Sequence, residues 1–284
     1  MPNKFYTLIT GASEGFGKAL ALECASRNMN LVLVALHGPE LKYLENFIKR
    51  NYTVDVVCIA KDLCQDDACY EVFCEVQNLG LQVNILLNNA GLGSTAYFQD
   101  GSPAFYERQI KLNVLATTVI TRHFLTMLKQ NSPSYIMNVG SMASFFCLPK
   151  KMVYAATKSF VYTFSRALRQ EVKKEDISVS VVCPGGMSTN LSLTLMIKSS
   201  NYFTRLTAMS PEIAAPIALD GLLRKKEVII PGRLNNCLLV LYKLLPGFVK
   251  TLLMRRAMNG LNTQNRFSKY LPQPLPALHS AQVA

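Results

Sequence analysis

Histidine is scarce in this sequence, which has three in 284 residues, at His37, His123 and His279. A Ser/His/Asp hydrolase depends on a histidine that takes the proton of its nucleophile. With so few histidines available for that role, the sequence disfavours hydrolysis by such a triad.

Clustered metal ligands are also lacking. No two of the eight cysteines form a CxxC pair, and Cys64, Cys69 and Cys74 lie five residues apart with no histidine nearby. Without a histidine beside them, these cysteines are a weak candidate for a zinc site. We therefore expect no metal site and interpret the cysteines as reduced thiols of a cytoplasmic protein.

Long apolar runs are missing as well. The longest, 237–254, is interrupted by Lys243, Pro246, Gly247 and Lys250, whereas a membrane-spanning helix needs about 20 consecutive apolar residues. The first apolar segment follows directly after Lys4 and leaves no room for a signal peptide. These patterns predict a cytoplasmic protein without a transmembrane helix.

Positive charge is concentrated towards the C-terminus. Residues 221–270 contain ten Lys/Arg against Glu227 alone, within a chain of net charge +12. The basic, Leu-rich segment at about 233–270 resembles an interfacial helix and predicts peripheral contact with an anionic membrane. A solvated face, a dimer contact or a pocket wall fits the same pattern. No nucleic-acid recognition motif accompanies it, so we expect no nucleic-acid partner.

Short apolar segments alternate with helical patterns along the chain. Seven strands are predicted at 5–10, 31–36, 54–60, 83–87, 135–139, 178–183 and 228–230, and the clearest helices at 18–26, 66–79, 103–129 and 153–172. Parallel strands need crossover helices that cover both faces of the sheet. The sequence predicts a single doubly wound α/β domain over 1–270, with three layers, and an extended or disordered tail over 271–284.

A glycine-rich turn separates the first strand from the first helix. Gly11, Gly15 and Gly17 give the spacing G-x-x-x-G-x-G. Glycine lets backbone N–H groups approach a pyrophosphate at the positive end of a helix. At this position in a βα unit, the turn predicts a dinucleotide site.

Tyr154 and Lys158 are four residues apart on the predicted helix 153–172, so their side chains share one face. A nearby ammonium favours the phenolate form of tyrosine and lowers its pKa. Ser141 follows the strand 135–139, where its hydroxyl is placed to stabilise charge on a substrate oxygen. Each residue alone also fits an ordinary packing or solvated role.

The four signatures together resemble the short-chain dehydrogenase/reductase family. They are the glycine turn at 11–17, the Asn-Asn-Ala-Gly segment at 88–91, Ser141, and Tyr154 with Lys158, and the likeness runs from about residue 5 to 189. The resemblance implies a Rossmann fold and hydride transfer between a nicotinamide coenzyme and a carbonyl/alcohol pair. It points to a carbonyl- or ketoacyl-reductase-like branch.

The resemblance also implies the catalytic roles. Tyr154 would donate the proton, Lys158 would tune Tyr154 and bind the nicotinamide ribose, Ser141 would polarise the substrate, and Asn113 would hold a water in a proton relay. The implied coenzyme contacts are Gly11, Ser13, Glu14, Gly15, Phe16, Gly17, His37, Asp62, Leu63, Asn89, Ala90, Gly91, Tyr154, Lys158, Pro184, Gly185 and Thr189.

The coenzyme is predicted from the end of the second strand. The acid that NAD-binding members place there is missing, because the sequence continues Val-Ala-Leu-His over 34–37. The arginine typical of NADP-binding members is missing too, with Leu36 in its place and Glu14 where many carry a base. We take His37, Ser13 or Lys42 as the contact of a 2'-phosphate and favour NADP over NAD.

The segment 187–210 lies where the family carries its substrate lid and is rich in Leu, Met, Tyr and Phe. It predicts a lipophilic ketone, aldehyde or acyl substrate, with a small polar substrate as the alternative. We also expect a homo-oligomer, a dimer or tetramer. The competing hypothesis is a non-catalytic dinucleotide-binding sensor or interaction protein, which would have no need of the proton donor.

Overall fold

The computed structural model of the chain describes residues 4–93, 97–187, 208–250 and 252. It contains two compact units, 1–244 and 245–284. The described part of the second unit is short, with Pro246 followed by helical residues 247–250. Thr189, most of the predicted lid and the predicted tail lie outside the described residues, and so does the basic segment beyond residue 252.

The centre of the first unit is a seven-stranded sheet whose paired strands all run parallel, in the order β3-β2-β1-β4-β5-β6-β7. The strands are β1 (Phe5–Thr10), β2 (Asn30–Ala35), β3 (Val56–Ala60), β4 (Gln82–Asn88), β5 (Ser134–Val139), β6 (Ile177–Val182) and β7 (Val228–Ile229). The chain order reverses between β1 and β4. Ligands of open α/β sheets bind at the carboxyl ends of the strands beside such a reversal.

Eight α-helices connect and cover these strands within the described residues. They are α1 (Gly15–Ser26), α2 (Pro39–Asn51), α3 (Ala68–Asn78), α4 (Pro103–Ile110), α5 (Thr117–Gln130), α6 (Met152–Glu171), α7 (Pro211–Leu223) and α8 (Arg233–Leu244). Three begin with proline, whose fixed φ and missing N–H suit the first turn of a helix.

Alternate residues of the central strands point into two separate cores. Ile9 and Leu33 pack with α1, α2 and α7 on one face. Leu8 and Val32 pack with α3, α5 and α6 on the other. Because both faces are covered, the strands read as continuous apolar runs, and every residue of β6 is buried.

The predicted doubly wound parallel sheet is confirmed, and most predicted bounds lie within two residues of the observed ones. One segment differs in kind, since the helix predicted over 103–129 contains a wider π-helical stretch, Lys111–Ala116, between α4 and α5. A π-helical turn accommodates an extra residue and often marks a functional site. This stretch carries Asn113. None of the described helices combines the length and apolar character needed to cross a membrane.

Candidate active site

The glycine turn lies between β1 and α1 and has little room for side chains. Gly11 and Gly15 have φ of +63° and +52°, in the left-handed region that favours glycine. A Cβ on Gly17 would stand 2.0 Å from the Gly11 carbonyl oxygen, and one on Gly11 would stand 2.8 Å from the Ala90 Cα. The turn therefore needs glycine at positions 11 and 17.

A set of hydrogen bonds fastens this turn to the loop after β4. The Asn89 side-chain amide donates to the carbonyl oxygens of Thr10 and Gly11, at 3.0 and 2.9 Å. The Thr10 hydroxyl accepts from the backbone N–H groups of Asn89 and Ala90, both at 3.0 Å. Thr10 was not among the predicted site residues; its only signal is its place directly before the first glycine.

The first turn of α1 is suited to an anion. Glu14 occupies the cap position with extended backbone, but its exposed side chain caps no N–H group. Ser13 and Gly15 are half-buried, while Phe16 and Gly17 are buried. Uncapped N–H groups and the positive end of the helix dipole favour negative charge here. These residues fit the pyrophosphate of a dinucleotide.

The end of β2 presents no carboxylate. Ala35 is followed by Leu36, which is 55% exposed, and by the exposed side chain of His37. Lys42 already donates to Glu45 at 2.9 Å. The charge of Lys42 is therefore already paired. His37 and Ser13 remain the other two candidates for the contact with a 2'-phosphate.

Asp62, the predicted adenine contact after β3, is held by two partners. One oxygen accepts the Cys64 N–H at 3.0 Å, and the other accepts from the Arg108 guanidinium at 2.9 Å. Partial burial acts to raise the pKa of Asp62, but these two donors outweigh it and lower that pKa below its usual value. Leu63 beside it is buried.

Tyr154 and Ser141 meet at the carboxyl end of β5. The Ser141 hydroxyl lies close enough to the Tyr154 phenol to act on its pKa, and the Ser141 Oγ accepts the Ala143 N–H at 3.1 Å. Burial raises the pKa of the Tyr154 phenol, while the nearby Ser141 hydroxyl acts to lower it. The net direction is upward, so Tyr154 keeps its proton at neutral pH.

Lys158 lies one helical turn beyond Tyr154 and is buried, with 5% of its surface exposed. Its Nζ donates to the Val139 carbonyl at 2.7 Å and stands 6.0 Å from the centre of the Tyr154 ring. Burial lowers the pKa of Lys158 to about 8. Lowering of the Tyr154 pKa by Lys158 stays a prediction, since burial is the dominant influence on the tyrosine here.

Asn113 joins the loop after β4 to the catalytic helix. Its Oδ1 accepts the Leu92 N–H at 2.7 Å, and its Nδ2 donates to the Leu92 carbonyl at 3.1 Å and to the Thr157 hydroxyl at 2.9 Å. Thr157 in turn donates to the Tyr154 carbonyl at 2.7 Å. The sequence did not single out Thr157, because it looks like an ordinary helical residue. The water relay through Asn113 stays a prediction.

Gly91 marks the point where these groups converge. A Cβ on this residue would stand 3.2 Å from the Lys158 Nζ and 3.3 Å from the Asn113 Oδ1. The structure therefore brings the Asn-Asn-Ala-Gly loop, Asn113 and Lys158 to one place. The glycine leaves the space beside the amino group open.

Cys183 lies beside Ser141, although no sequence pattern predicted it as a site residue. Burial raises the pKa of its thiol to about 12, although the nearby Ser141 backbone N–H acts to lower it. The adjacent Pro184 is buried, and its carbonyl accepts the Met142 N–H at 2.9 Å; Gly185 is half-buried. The segment after β6 is thus fastened to the turn that carries Ser141.

The rest of the described structure bears on two other kinds of site, metal centres and cavities. Among the described residues, no group of three or more His, Cys, Asp or Glu is placed to hold a metal ion. A cavity of about 330 Å³ lies beside β7 between α7 and α8, and none of the predicted site residues lines it. We place the chemistry at the carboxyl ends of β1, β4 and β5, where the hydrogen-bonded groups converge.

Comparison with known proteins is consistent with this site. The sequence model of the family described as short chain dehydrogenase matches residues 6–198. The very-long-chain 3-oxoacyl-CoA reductase of Rattus norvegicus is 32% identical over 191 residues, which are 66% of this chain and 61% of that protein. The 17-beta-hydroxysteroid dehydrogenase type 3 of Homo sapiens is 30% identical over 207 residues, 70% of this chain and 66% of that protein. The chain thus spans about three fifths of the length of the first relative.

Two solved structures share the fold over most of the chain. A 7beta-hydroxysteroid dehydrogenase superposes with a TM-score of 0.79 and 25% identity, covering 88% of this chain and 95% of that one. A short-chain dehydrogenase from Sphingobium yanoikuyae in complex with NADPH has a TM-score of 0.73 and 26% identity, covering 98% of both chains.

Replacing Gly17 by alanine tests the glycine turn. The new Cβ would collide with the Gly11 carbonyl, so the turn must open, and we expect the affinity for NADPH to fall at least about tenfold, or 1.4 kcal/mol. Fluorescence titration measures it. Gly247→Ala is the control, since no atom lies within 4 Å of its added Cβ. Unchanged affinity in Gly17→Ala would contradict the assignment.

Replacing Lys158 by methionine tests the cost of burying its charge. The folded pKa lies below the unfolded one, so the wild type is penalised below pH 8 and the penalty fades as pH rises towards the unfolded value. We expect Lys158→Met to raise the free energy of unfolding by roughly 1–3 kcal/mol at pH 7 and by much less at pH 10. Urea unfolding at both pH values measures this, and an equal gain at both would argue against a buried charge.

Proposed function

The chain belongs to the short-chain dehydrogenase family, and on that premise we propose that it is an oxidoreductase that transfers a hydride between NAD(P)(H) and a carbonyl or alcohol group. One observation carries the proposal. The side chains of Tyr154 and Ser141 lie together at the carboxyl end of β5, beside the buried amino group of Lys158 and at the same edge of the sheet as the glycine turn.

We propose the residues that would hold the coenzyme from the family resemblance and the shape of the glycine turn. The glycine turn and the first turn of α1 would bind its pyrophosphate, Asp62 and Leu63 its adenine, and Lys158 its nicotinamide ribose. When bound, the nicotinamide ring supplies or accepts the hydride.

The proton comes from Tyr154. In reduction, its O–H donates to the substrate oxygen as negative charge develops there, and the raised pKa keeps the phenol protonated until that moment. Ser141 donates a hydrogen bond to the same oxygen and stabilises its charge. In oxidation, the phenolate accepts the alcohol proton.

Lys158 supports the phenolate that proton transfer leaves behind. With a pKa of about 8 it is mostly charged at neutral pH, and its ammonium favours a nearby anion. Asn113 lies within the same group of contacts, and we propose that it relays protons from solvent to Lys158.

We propose NADP as the preferred coenzyme. In support, neither of the two residues that follow β2, Leu36 and His37, carries a carboxylate to bind a ribose 2'-hydroxyl, and the imidazole of His37 is exposed there. The structural relative from Sphingobium yanoikuyae is described in complex with NADPH.

We propose a lipophilic carbonyl substrate. Two relatives carry the names of a very-long-chain 3-oxoacyl-CoA reductase and a 17-beta-hydroxysteroid dehydrogenase, names that specify a very-long-chain acyl group and a steroid. The apolar composition of 187–210 agrees with this choice. We also propose a homo-oligomer, and a cytoplasmic location because the eight cysteines fit reduced thiols.

Peripheral contact with an anionic membrane is also part of the proposal. The outward face of α8 exposes Leu234, Val240, Leu241 and Leu244, with exposed fractions of 37, 52, 60 and 76%. Lys243 lies beside this stripe, in a region where cations far outnumber acids. An apolar stripe flanked by cations suits an anionic lipid surface.

Replacing Tyr154 by phenylalanine tests the function. We expect Tyr154→Phe to bind NADPH as tightly as the wild type but to lose at least about a thousandfold in kcat, since the proton donor is gone. Titrations with NADPH and NADH measure coenzyme binding, and a panel of ketones, aldehydes and 3-ketoacyl substrates measures kcat. Tyr162→Phe, two turns along α6, is the control. Retained turnover in Tyr154→Phe would sink the mechanism, and wild-type binding without turnover would favour a sensor.

Replacing Leu241 and Leu244 together by glutamine tests membrane contact. We expect the wild type to sediment with anionic phosphatidylserine vesicles at physiological salt, and the variant to lose at least about two thirds of that binding, because about 2–3 kcal/mol of apolar burial per leucine is removed. Leu79→Gln, a leucine outside α8 that is 53% exposed, is the control. Failure of the wild type to sediment would dispose of the idea.

A further inference from the structure

Helix α4 buries a polar side chain where an apolar one would be ordinary. Gln109 is the one buried residue of this helix, which the structure describes throughout, and none of its surface is exposed. Burying an amide costs free energy unless its hydrogen bonds are made. A glutamine at this place therefore needs a partner inside the protein.

That partner is the loop that carries Gly91. The Gln109 Nε2 donates to the Leu92 carbonyl oxygen at 2.9 Å. The same oxygen accepts from the Asn113 Nδ2 at 3.1 Å, and the Leu92 N–H donates to the Asn113 Oδ1 at 2.7 Å. Both polar groups of the Leu92 backbone are thus hydrogen-bonded to side chains, and its carbonyl oxygen accepts two of these bonds.

Gln109 and Asn113 are four residues apart on one continuous helical segment, so both amides reach the same loop. Asn113 is also bonded to Thr157 on the catalytic helix. Asn113 holds both backbone groups of Leu92 from one turn of this segment. Gln109, bonded to the Leu92 carbonyl from the preceding turn, supplies a second point of attachment.

We propose that Gln109 is a positioning residue that fixes the Gly91–Leu92 backbone against Lys158, and so sets the place of the bound coenzyme. The inference rests on the proposed function, because the position matters only if a dinucleotide binds beside Gly91. Gln109 acts through Leu92 and touches neither Tyr154 nor Ser141 in the contacts described. Its effect belongs to coenzyme binding rather than to proton transfer.

The test replaces Gln109 by methionine, which keeps the length of the side chain and removes its donor. We expect the Kd and KM for NADPH to rise about three- to tenfold, the measure of one lost hydrogen bond, with kcat changed less than about twofold. We also expect faster amide hydrogen exchange in the peptide that contains Leu92. Gln109→Asn keeps an amide but is one methylene shorter, so it no longer reaches Leu92, and we expect it to show the same changes. This second variant keeps the test valid if methionine disturbs folding.

Asn131 provides the matched control. Its buried side-chain amide likewise donates to a backbone carbonyl, that of Val83, at 2.9 Å, where β4 begins. Asn131→Leu should lower the unfolding temperature and leave the Kd, KM and exchange at Leu92 unchanged. If Gln109→Met and Gln109→Asn behave in this way too, Gln109 is only structural and the proposal is overturned.

The two proposals fail separately. A wild type that binds NADPH but reduces no substrate would defeat the proposed function, while the ratio of Kd values between wild type and Gln109→Met would still test the role of Gln109. Normal turnover with unchanged KM in both variants would defeat the role of Gln109 and leave the proposed function standing.

Discussion

The side-chain amide of Asn89 donates to the carbonyl oxygens of Thr10 and Gly11, and through these two hydrogen bonds the loops after β1 and β4 are fixed against each other. The contact is possible because Gly17 has no side chain, so that the first helix can approach the turn closely. With the turn held in this way, the first N–H groups of α1 face a site of defined shape. The binding of an anion there depends on this junction.

From the same junction, a series of hydrogen bonds leads to the reacting groups. The loop continues from Asn89 to Leu92, whose backbone is held by Asn113, and Asn113 is bonded through Thr157 to the helix that carries Tyr154. The bonds of Asn113 to Leu92 and to Thr157 join residues 21 and 44 positions apart in the sequence. A shift at the glycine turn would therefore reach the catalytic helix through polar contacts, and not only through packing of the core.

The site is held at a cost in stability. Burial lowers the pKa of Lys158 to about 8 and raises that of Tyr154, because both charged forms are poorly solvated in the interior. A bound coenzyme and substrate would supply partners for these charges that the free protein lacks. The unfavourable environment in the free protein is thus consistent with groups that must exchange protons during a reaction.

Much of this arrangement could be predicted from the sequence, because local patterns carry it. The alternation of apolar strands and helices specifies a parallel sheet, glycine spacing specifies the turn, and the interval of four residues places Tyr154 and Lys158 on one face of α6. The two predicted coenzyme segments lie together, since the Asn89 amide donates to the Gly11 carbonyl. These features depend on the chain's own geometry over short distances.

Other features were decided only by the tertiary structure. The roles of Thr10, Thr157 and Gln109 depend on partners 17 to 80 residues away, and such residues carry no distinctive pattern of their own. The lowered pKa of Lys158 could not be predicted from the sequence either, because desolvation depends on every group that packs around its amino group. The sequence by itself determined which groups could react, and folding decided how they are held, because hydrogen bonds and burial at this site join segments that the chain order keeps apart.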